Sequence, residues 1–323
     1  MTVQKTFRNA VVESIIESLA PLIEKAPKSS PDDFSFHASK ELGGPYLLDG
    51  LWHKLGMAEV IHSLVKERQF QNPLERLIFA MVAGRILKRG RSKDGRSELP
   101  LVSIAFAVTR TGVPLRCWVF PGNTSDQTIV EEVKEDLGEW NLGHVIMVED
   151  AGFNSADNRR ILLRDCGEYI IGEKLKVGHE GTAVEALLDG KFLISTSTSM
   201  KLDAAELLAG YKQLWEIERV FKDLKHTLDI RPVYHRLDER IRSHVLLCFL
   251  AMILVRTAEN ILDTFWYQIE KVVGSISAGL IESEKVNIWY TSDISDEARQ
   301  IFTTLDIPLP KKVLETVSAE AAV

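Results

Sequence analysis

The middle of the chain alternates between strand-like and helix-like segments, and this order limits the possible folds more than any other feature. Two apolar runs, Leu99 to Val108 and Pro114 to Phe120, are separated by the turn residues Thr111 and Gly112. Runs of this length with a short turn between them are typical of an antiparallel hairpin. The sequence therefore predicts that a sheet begins near residue 99.

The segments after the hairpin predict that this sheet also contains parallel strands. A helix capped by Thr124 or Ser125 is followed by a wholly apolar run, which is typical of a strand covered on both faces. Another helix and two more strands come next, an order that favours a mixed α/β sheet with parallel crossovers. These segments are Ile129 to Leu137, His144 to Asp150, Ser155 to Cys166, Glu168 to Gly172 and Phe192 to Thr196.

The regions on either side of this α/β segment have a different pattern. Residues 1–90 show helical spacing and no obvious strand, which predicts a helical N-terminal region. We expect an α/β domain over residues 91–262 and a helical C-terminal tail over 263–323. The longest apolar run, Val245 to Val255, has 11 residues, whereas a membrane-spanning helix needs roughly 20. We therefore expect a buried helix there and no membrane segment.

Composition excludes several classes of protein. Hydrophobic residues make up 45% and charged residues 26% of the 323, which excludes a disordered, collagen-like or disulfide-scaffold chain. The three cysteines are widely spaced and form no CxxC pair, so a zinc ribbon is not expected and a cytoplasmic location is the simplest setting. The sequence contains neither a GxGxxG nor a GxxxxGK[ST] motif, so it does not predict a nucleotide-binding site.

The net charge of −7 argues weakly against a nucleic-acid partner, but the charge is unevenly distributed. Residues 88–96 carry five Lys or Arg against one acid, and residues 219–242 carry seven against four. A basic surface formed by the middle of the chain is therefore compatible with the negative net charge of the whole protein.

Asp150 is the first acid with a position that suggests chemistry. It stands where the apolar strand stops, before Ala151 and Gly152. Ligands of open α/β sheets bind beyond the carboxyl ends of strands, where a carboxylate is held rigidly yet faces a crevice. The alternative is an ordinary turn-forming aspartate.

Glu218 is the second such acid, in a helix predicted over Ala204 to Thr227. On a helical wheel Tyr211, Trp215, Glu218, Lys222 and Lys225 share one narrow arc beside the apolar stripe, whereas Glu216 points to solvent. The alternative for Glu218 is a solvent-exposed i,i+4 ion pair with Lys222.

Two such carboxylates have the chemistry of a divalent metal site. Mg²⁺ prefers oxygen ligands and keeps open positions for substrate phosphates. A pair of such ions can activate the attacking oxygen and stabilise the leaving oxygen in phosphodiester cleavage. The lysines after Glu218 could contact a DNA backbone as point charges.

Four segments together resemble the DDE transposases of bacterial insertion sequences, over about residues 40 to 262. They are GNTSD (122–126), VEDAGFNSADN (148–158), YKQLWEIERVFKDLK (211–225) and LDIRPVYHR (228–236). The specific part is the pattern Y-x2-R-x3-E-x6-K, in which Tyr211, Glu218 and Lys225 match and Leu214 replaces the family's Arg.

The resemblance implies a ribonuclease-H-like catalytic core that uses Mg²⁺ or Mn²⁺ to cut and rejoin DNA at transposon terminal inverted repeats. It implies that Asp150 and Glu218 are the second and third metal-binding catalytic acids. Tyr211 and Trp215 would shape the site, with Lys222 and Lys225 on phosphate. Trp215 could stack on an unpaired base, with simple packing as the alternative.

The family's first acid has no counterpart in an apolar strand before the hairpin. Only about a dozen residues separate the helix ending AGRILKRG from the hairpin, which predicts an internal deletion of the first strand and its acid. Asp94 and Asp126 lie nearby and could substitute for the lost ligand. The deletion should weaken metal binding, remove most activity and leave an unpaired sheet edge.

Two arginines complete the candidate DNA contacts. Arg231 and Arg236 lie in the basic segment after the helix and could bind phosphates. The alternative is that they form salt bridges with Asp229 and Asp238.

Three functional hypotheses remain open. The first is a DDE transposase, by descent and with impaired catalysis. The second is a non-enzymatic remnant that keeps DNA binding or forms a homodimer. The third is a metal-dependent nuclease that needs no transposon ends.

Overall fold

A computed structural model describes residues 35–66, 73–87, 102–122, 124–125, 128–140, 145–173, 193–226, 228, 230, 233, 237–282 and 286–318. The strands, in chain order, are β1 (Ser35–Glu41), β2 (Val102–Val108), β3 (Pro114–Pro121), β4 (Ile146–Glu149), β5 (Glu168–Glu173), β6 (Leu193–Thr196), β7 (Ser277–Glu282), β8 (Val286–Thr291) and β9 (Val313–Ser318). The helices are α1 (Gly43–Lys54), α2 (Met57–Val65), α3 (Leu74–Leu87), α4 (Ile129–Gly138), α5 (Ala156–Leu162), α6 (Ala204–Lys212), α7 (Leu214–His226), α8 (Asp238–Leu262), α9 (Trp266–Val273) and α10 (Asp296–Thr304). The predicted mixed α/β class is confirmed.

The chain forms two compact units, and the first joins both ends of the sequence. Unit 1 comprises Met1–Arg89 and Ile253–Val323, and unit 2 comprises Gly90–Met252. Unit 1 contains one antiparallel sheet with strand order β1-β7-β8-β9. The predicted helical N-terminal region also contains strand β1, which was not expected, and the prediction of a helical C-terminal tail was wrong because this tail contains β7, β8 and β9. Strand β1 gains its partner β7 from more than 230 residues away, a pairing that no local pattern signals.

Unit 1 buries a carboxylate inside a hydrogen-bonded group. Glu75 on α3 is 4% exposed, and Trp52 Nε1 on α1 donates to its Oε1 over 2.6 Å. Arg76 donates to both carboxylate oxygens of Glu75 and, over 2.5 Å, to Asp49 Oδ1. The hydrogen bond from Arg76 lowers the pKa of Glu75, against the opposing effect of burial. The charge of Glu75 is therefore stabilised in the folded protein.

Unit 2 begins with the predicted hairpin of β2 and β3. The two strands pair antiparallel from Val102 opposite Pro121 to Val108 opposite Pro114. Gly112 in the turn has φ of +74°, a conformation that favours glycine. A Cβ at this position would lie 2.7 Å from Oε2 of Glu216 on α7, so the turn also approaches that helix closely.

The rest of unit 2 forms a second sheet with strand order β4-β5-β6. Strand β4 pairs parallel with β5, with α5 in the connection, as the predicted crossover requires. Ser155 caps α5 by accepting a hydrogen bond from the backbone N–H of Asn158 over 3.1 Å. The predicted cap of the preceding helix was wrong, because α4 begins at Ile129, after Thr124 and Ser125.

The two sheets of unit 2 share one buried layer beneath α4. Trp118 and Phe120 of β3 form a buried cluster with Ile129 and Leu137 of α4. Met147 of β4 packs against this cluster and also against a second one, which contains Tyr169 and Ile171 of β5. Strand β4 thus lies between the hairpin and β5 in the packing of the core. Among the described residues, however, no ladder of hydrogen bonds joins β2 or β3 to β4.

Helix α8 contains the long apolar run. Most residues on one face of the run are inaccessible to solvent, including Val245, Cys248 and Met252. By length and composition this helix could cross a membrane, but half of its apolar window is buried inside the protein, as in the core helix of a soluble domain. The buried helix predicted for this run is confirmed.

Candidate active site

Asp150 lies exposed immediately after β4, at the carboxyl end of the strand. Its Oδ1 accepts a hydrogen bond from the backbone N–H of Gly152 over 2.6 Å. The aspartate therefore does form the turn that was the alternative interpretation. That turn occupies one carboxylate oxygen only, and no ion pair within the described part of the chain neutralises the charge of Asp150.

Tyr211 lies close enough to Asp150 for the two side chains to interact electrostatically. Its helix, α6, packs against β4 and β5. A Cβ on Gly172 of β5 would collide with the Tyr211 hydroxyl, so the glycine lets the phenol lie against the strand. Burial and then the charge of Asp150 raise the pKa of Tyr211, which keeps its hydroxyl protonated as a donor.

Glu149, the last residue of β4, is a second acid beside Asp150 that the sequence interpretation did not select. Its Oε2 is buried and has no hydrogen-bond partner among the described residues. Burial, with a smaller contribution from the charge of Asp150, raises the pKa of Glu149 to about 7. The signal in the sequence was the pair of consecutive acids after an apolar strand, because side chains alternate between faces and one of the pair must point inward.

The predicted continuous helix from Ala204 to Thr227 is two helices, which corrects the helical wheel. Helix α6 ends at Lys212, and α7 begins after Gln213. The buried face of α7 contains Val220, which is fully inaccessible to solvent. Four residues earlier, Glu216 shares that face, because residues four apart are neighbours on a helix.

The two glutamates of α7 therefore have the opposite exposure to the prediction. The side chain of Glu216 is only 12% exposed, and its Oε2 is buried without a hydrogen bond to a described residue. Arg219 lies 4.0 Å from it and also lies over the ring of Trp215. Glu218 is the exposed glutamate. It is therefore accessible to solvent rather than bordering the core.

The exposed face of α7 carries charges that have no ionic partner in the part of the chain that the structure describes. Glu218, Lys222 and Lys225 are all exposed and make no hydrogen bond or ion pair with any described residue. The alternative of a Glu218–Lys222 ion pair is thus absent, although their spacing would allow one. Trp215 is 54% exposed, so it is not simply packed away beside Tyr211.

The described residues supply an incomplete set of metal ligands. Asp150 and Glu218 are oxygen donors with no ionic partner among the described residues, which suits Mg²⁺ or Mn²⁺. However, no group of three or more His, Cys, Asp or Glu side chains in the described ranges is arranged to hold a metal ion. Asp94, Asp126, Arg231 and Arg236 lie outside the described residues.

Comparison with known proteins places unit 2 in one family. The model of the transposase DDE domain matches residues 87–254, which is just over half of the chain and includes all of unit 2. No curated protein and no solved structure matches the chain. The matched range includes Asp150, Tyr211 and Glu218, which confirms the resemblance stated from the motifs. The chain belongs to the transposases with a DDE domain.

Proposed function

We propose that this protein binds DNA at transposon terminal inverted repeats but is impaired in metal-dependent strand cleavage and transfer. The proposal rests on a contrast in the candidate site between groups that can bind phosphate and acids that do not complete a metal site. The face of α7 offers lysines that have no ionic partner in the described structure and suit phosphate, whereas the described acids do not form a three-ligand metal cluster.

The DNA-binding part of the proposal rests on the exposed face of α7. Lys222 and Lys225 are separated by about one helical turn and carry no ionic partner in the described structure. Unpaired ammonium groups at this spacing can contact successive phosphates and release condensed counterions. Trp215 adds an exposed aromatic surface on which an unpaired base could stack.

The impaired-cleavage part rests on the missing ligand. Asp150 and Glu218 would be the two acids that hold Mg²⁺ or Mn²⁺, and such a metal would activate the attacking oxygen and stabilise the leaving oxygen of a phosphodiester. Removing one member of a catalytic unit usually costs about as much rate as removing all of them. The separate β2-β3 and β4-β5-β6 sheets support a deleted strand that would have carried the third acid.

The binding test uses the purified full chain and duplexes that carry the terminal inverted repeats flanking the gene. We expect fluorescence anisotropy to show tighter binding to these ends than to a scrambled duplex. The double substitution Lys222→Ala with Lys225→Ala should reduce the slope of log K against log salt by about 2, because two phosphate contacts are lost. Lys271→Ala is the control, since Lys271 is an exposed lysine of unit 1. Equal affinity for end and scrambled DNA would contradict the proposal.

The cleavage test separates the three functional hypotheses. With Mn²⁺ present, we expect no cut at the transposon ends above the level of an Asp150→Asn variant. End-specific cuts lost in that variant would identify an active transposase. Equal cutting of unrelated DNA, also lost in that variant, would favour a general nuclease.

A further inference from the structure

We propose that Arg219 and Glu216 are positioning residues, which hold the indole of Trp215 as a stacking surface for an unpaired base at a DNA end. The inference rests on the proposed DNA binding and adds to it the form of DNA end that the site prefers. Its basis is the set of contacts that these three side chains of α7 make with one another and with the hairpin turn.

The guanidinium of Arg219 contacts both the indole and the buried glutamate of α7. Arg219 follows Trp215 by four residues and Glu216 by three, so its side chain can meet both on the helix surface. Its Cζ lies over the Trp215 ring, 5.9 Å from the ring centroid, and its Nη1 lies 4.0 Å from Glu216 Oε2. A cation over an indole face is attracted by the ring, so this contact favours one orientation of Trp215.

The exposure of the three side chains decreases from the indole inward. Trp215 is 54% exposed, whereas the side chain of Arg219 is 21% exposed and that of Glu216 is 12% exposed. An arginine on an open surface normally extends its charged head into water, so the low exposure of Arg219 indicates that it is held against its neighbours. Arg219 is therefore better placed to support the indole than to contact a phosphate itself.

Glu216 is enclosed by the turn of the β2–β3 hairpin. Its Oε2 is buried and makes no hydrogen bond with a described residue. A Cβ on Gly112 would lie 2.7 Å from this oxygen, so the turn closely approaches the carboxylate. A buried carboxylate is costly unless a positive charge lies near it, and Arg219 supplies such a charge. The charge of Glu216 thus favours the position of Arg219 beside it and over the indole.

An indole supported in this way suits an unpaired base. A base inside a duplex is already stacked on its neighbours, whereas an unpaired base at an end can offer a face to an aromatic ring. Because the indole is already held, less side-chain freedom is lost when the base binds. Lys222 lies seven residues after Trp215, about 10 Å along the helix, and can bind a phosphate of the same strand. The preferred ligand is therefore a duplex that ends in a single-stranded nucleotide.

The test compares two duplexes that carry the same terminal repeat, by fluorescence anisotropy on the full-length protein. One duplex is blunt, and the other ends in a two-nucleotide single-stranded overhang whose first base is 2-aminopurine. Wild type should bind the overhang duplex about tenfold more tightly, because one base gains a stacking partner. The 2-aminopurine fluorescence should fall on binding, as stacking quenches it. Trp215→Ala should abolish both the preference and the quenching.

Two further variants test the positioning role, because in this arrangement neither side chain touches the base. Arg219→Gln and the nearly isosteric Glu216→Gln should each reduce the preference to about threefold and weaken the quenching, with affinity for the blunt duplex unchanged. Arg219→Lys keeps a cation over the ring and should retain most of the preference. Arg240→Gln, at an exposed arginine of α8, is the charge-matched control and should leave the preference unchanged.

Four outcomes would overturn the inference. Equal affinity of wild type for the two duplexes would do so and would leave the proposed binding of the repeats intact. A preference that depends on Trp215 but on neither Arg219 nor Glu216 would mean that the indole needs no support. An equal loss of affinity for both duplexes in Arg219→Gln would make Arg219 a backbone contact instead. Failure to bind either duplex more tightly than a scrambled one would reject the proposed function as well.

Discussion

In unit 1 the strands form one continuous sheet, whereas in unit 2 the strands of the family domain form two sheets with no ladder between them in the described residues. Strand β7, paired on both sides, buries four of its six residues, while β2 and β4 are half-buried throughout. In unit 1 the strands paired on one side are the two end strands of a single sheet, β1 and β9. In the described part of unit 2, β2 and β4 are also paired on one side only, and β4 ends at Asp150 of the candidate site.

The buried carboxylates of the two units differ in how well they are hydrogen-bonded. Glu75 of unit 1 is held in its charged form by Arg76 and Trp52, and its pKa is lowered. Glu149 of unit 2 has a buried oxygen without a described partner, and its pKa is raised to about 7. A carboxylate that is fully hydrogen-bonded stabilises its unit, whereas one that is buried alone destabilises it whenever it is charged.

The largest expected effect concerns the hydrogen-bonded buried carboxylate of unit 1. Glu75→Ala should lower the free energy of unfolding by about 3 kcal/mol, because the buried Trp52 N–H loses its acceptor and Arg76 keeps only Asp49. Urea denaturation of the variant measures the loss. Glu315→Ala, at an exposed position of β9, is the control and should change stability by less than about 0.5 kcal/mol. A loss as small as that of the control would remove the contrast between the units.

The second prediction concerns Glu149, whose substitution should raise the free energy of unfolding at pH 8 rather than lower it. Its folded pKa of about 7 lies above the ordinary value of 4.5, so the unfolded chain ionises first. The contribution of Glu149 to wild-type stability should therefore fall as pH rises from 4.5 to 7 and then level off. Glu149→Gln should abolish this fall and be more stable than wild type at pH 8 by on the order of 2 kcal/mol.

Denaturation in metal-free buffer across this pH range measures the effect. Glu135→Gln, on the exposed side of α4, should follow the wild-type curve. If Glu149→Gln also followed the wild-type curve, burial of Glu149 would not destabilise the folded protein. The contrast between Glu149 and the hydrogen-bonded Glu75 would then be wrong.

The third prediction tests how the hairpin is held in unit 2 without sheet pairing to β4. Gly112→Ala should cost about 1–2 kcal/mol and speed exchange in β2 and β3, because φ is +74° and the new Cβ would crowd Glu216. Gly138→Ala is the matched control, since a Cβ there meets no atom within 4 Å. Equal stabilities of the two variants would show that the contact with α7 does not hold the hairpin.

The smallest expected effect on stability falls on the exposed face of α7. Lys222→Ala should change the free energy of unfolding by less than about 0.5 kcal/mol, because the side chain is exposed and has no described ionic partner. The same variant should still weaken DNA binding. A loss of stability comparable to that of Glu75→Ala would assign this face a structural role instead.

Local patterns predicted the hairpin, the parallel crossover and the position of Asp150 after β4. Those features depend on neighbouring residues, such as the turn at Gly112 and the Ser155 cap. The strands of the C-terminal segment were missed because β7 depends on pairing with the distant β1.

The assignment of the α7 glutamates failed for a related reason. The wheel assumed one continuous helix and left out Val220, so the buried face was placed too close to Glu218. Glu149 was overlooked because a sequence does not show which of two consecutive acids is enclosed by tertiary packing.

The incomplete acid set is the central claim, and calorimetric titration of the full-length protein with Mn²⁺ tests it most directly. The account predicts weak heats that do not saturate and that are the same in wild type and in Asp150→Asn. A saturable binding curve in wild type that disappears in Asp150→Asn would contradict it, because such a curve requires a complete metal site around that acid.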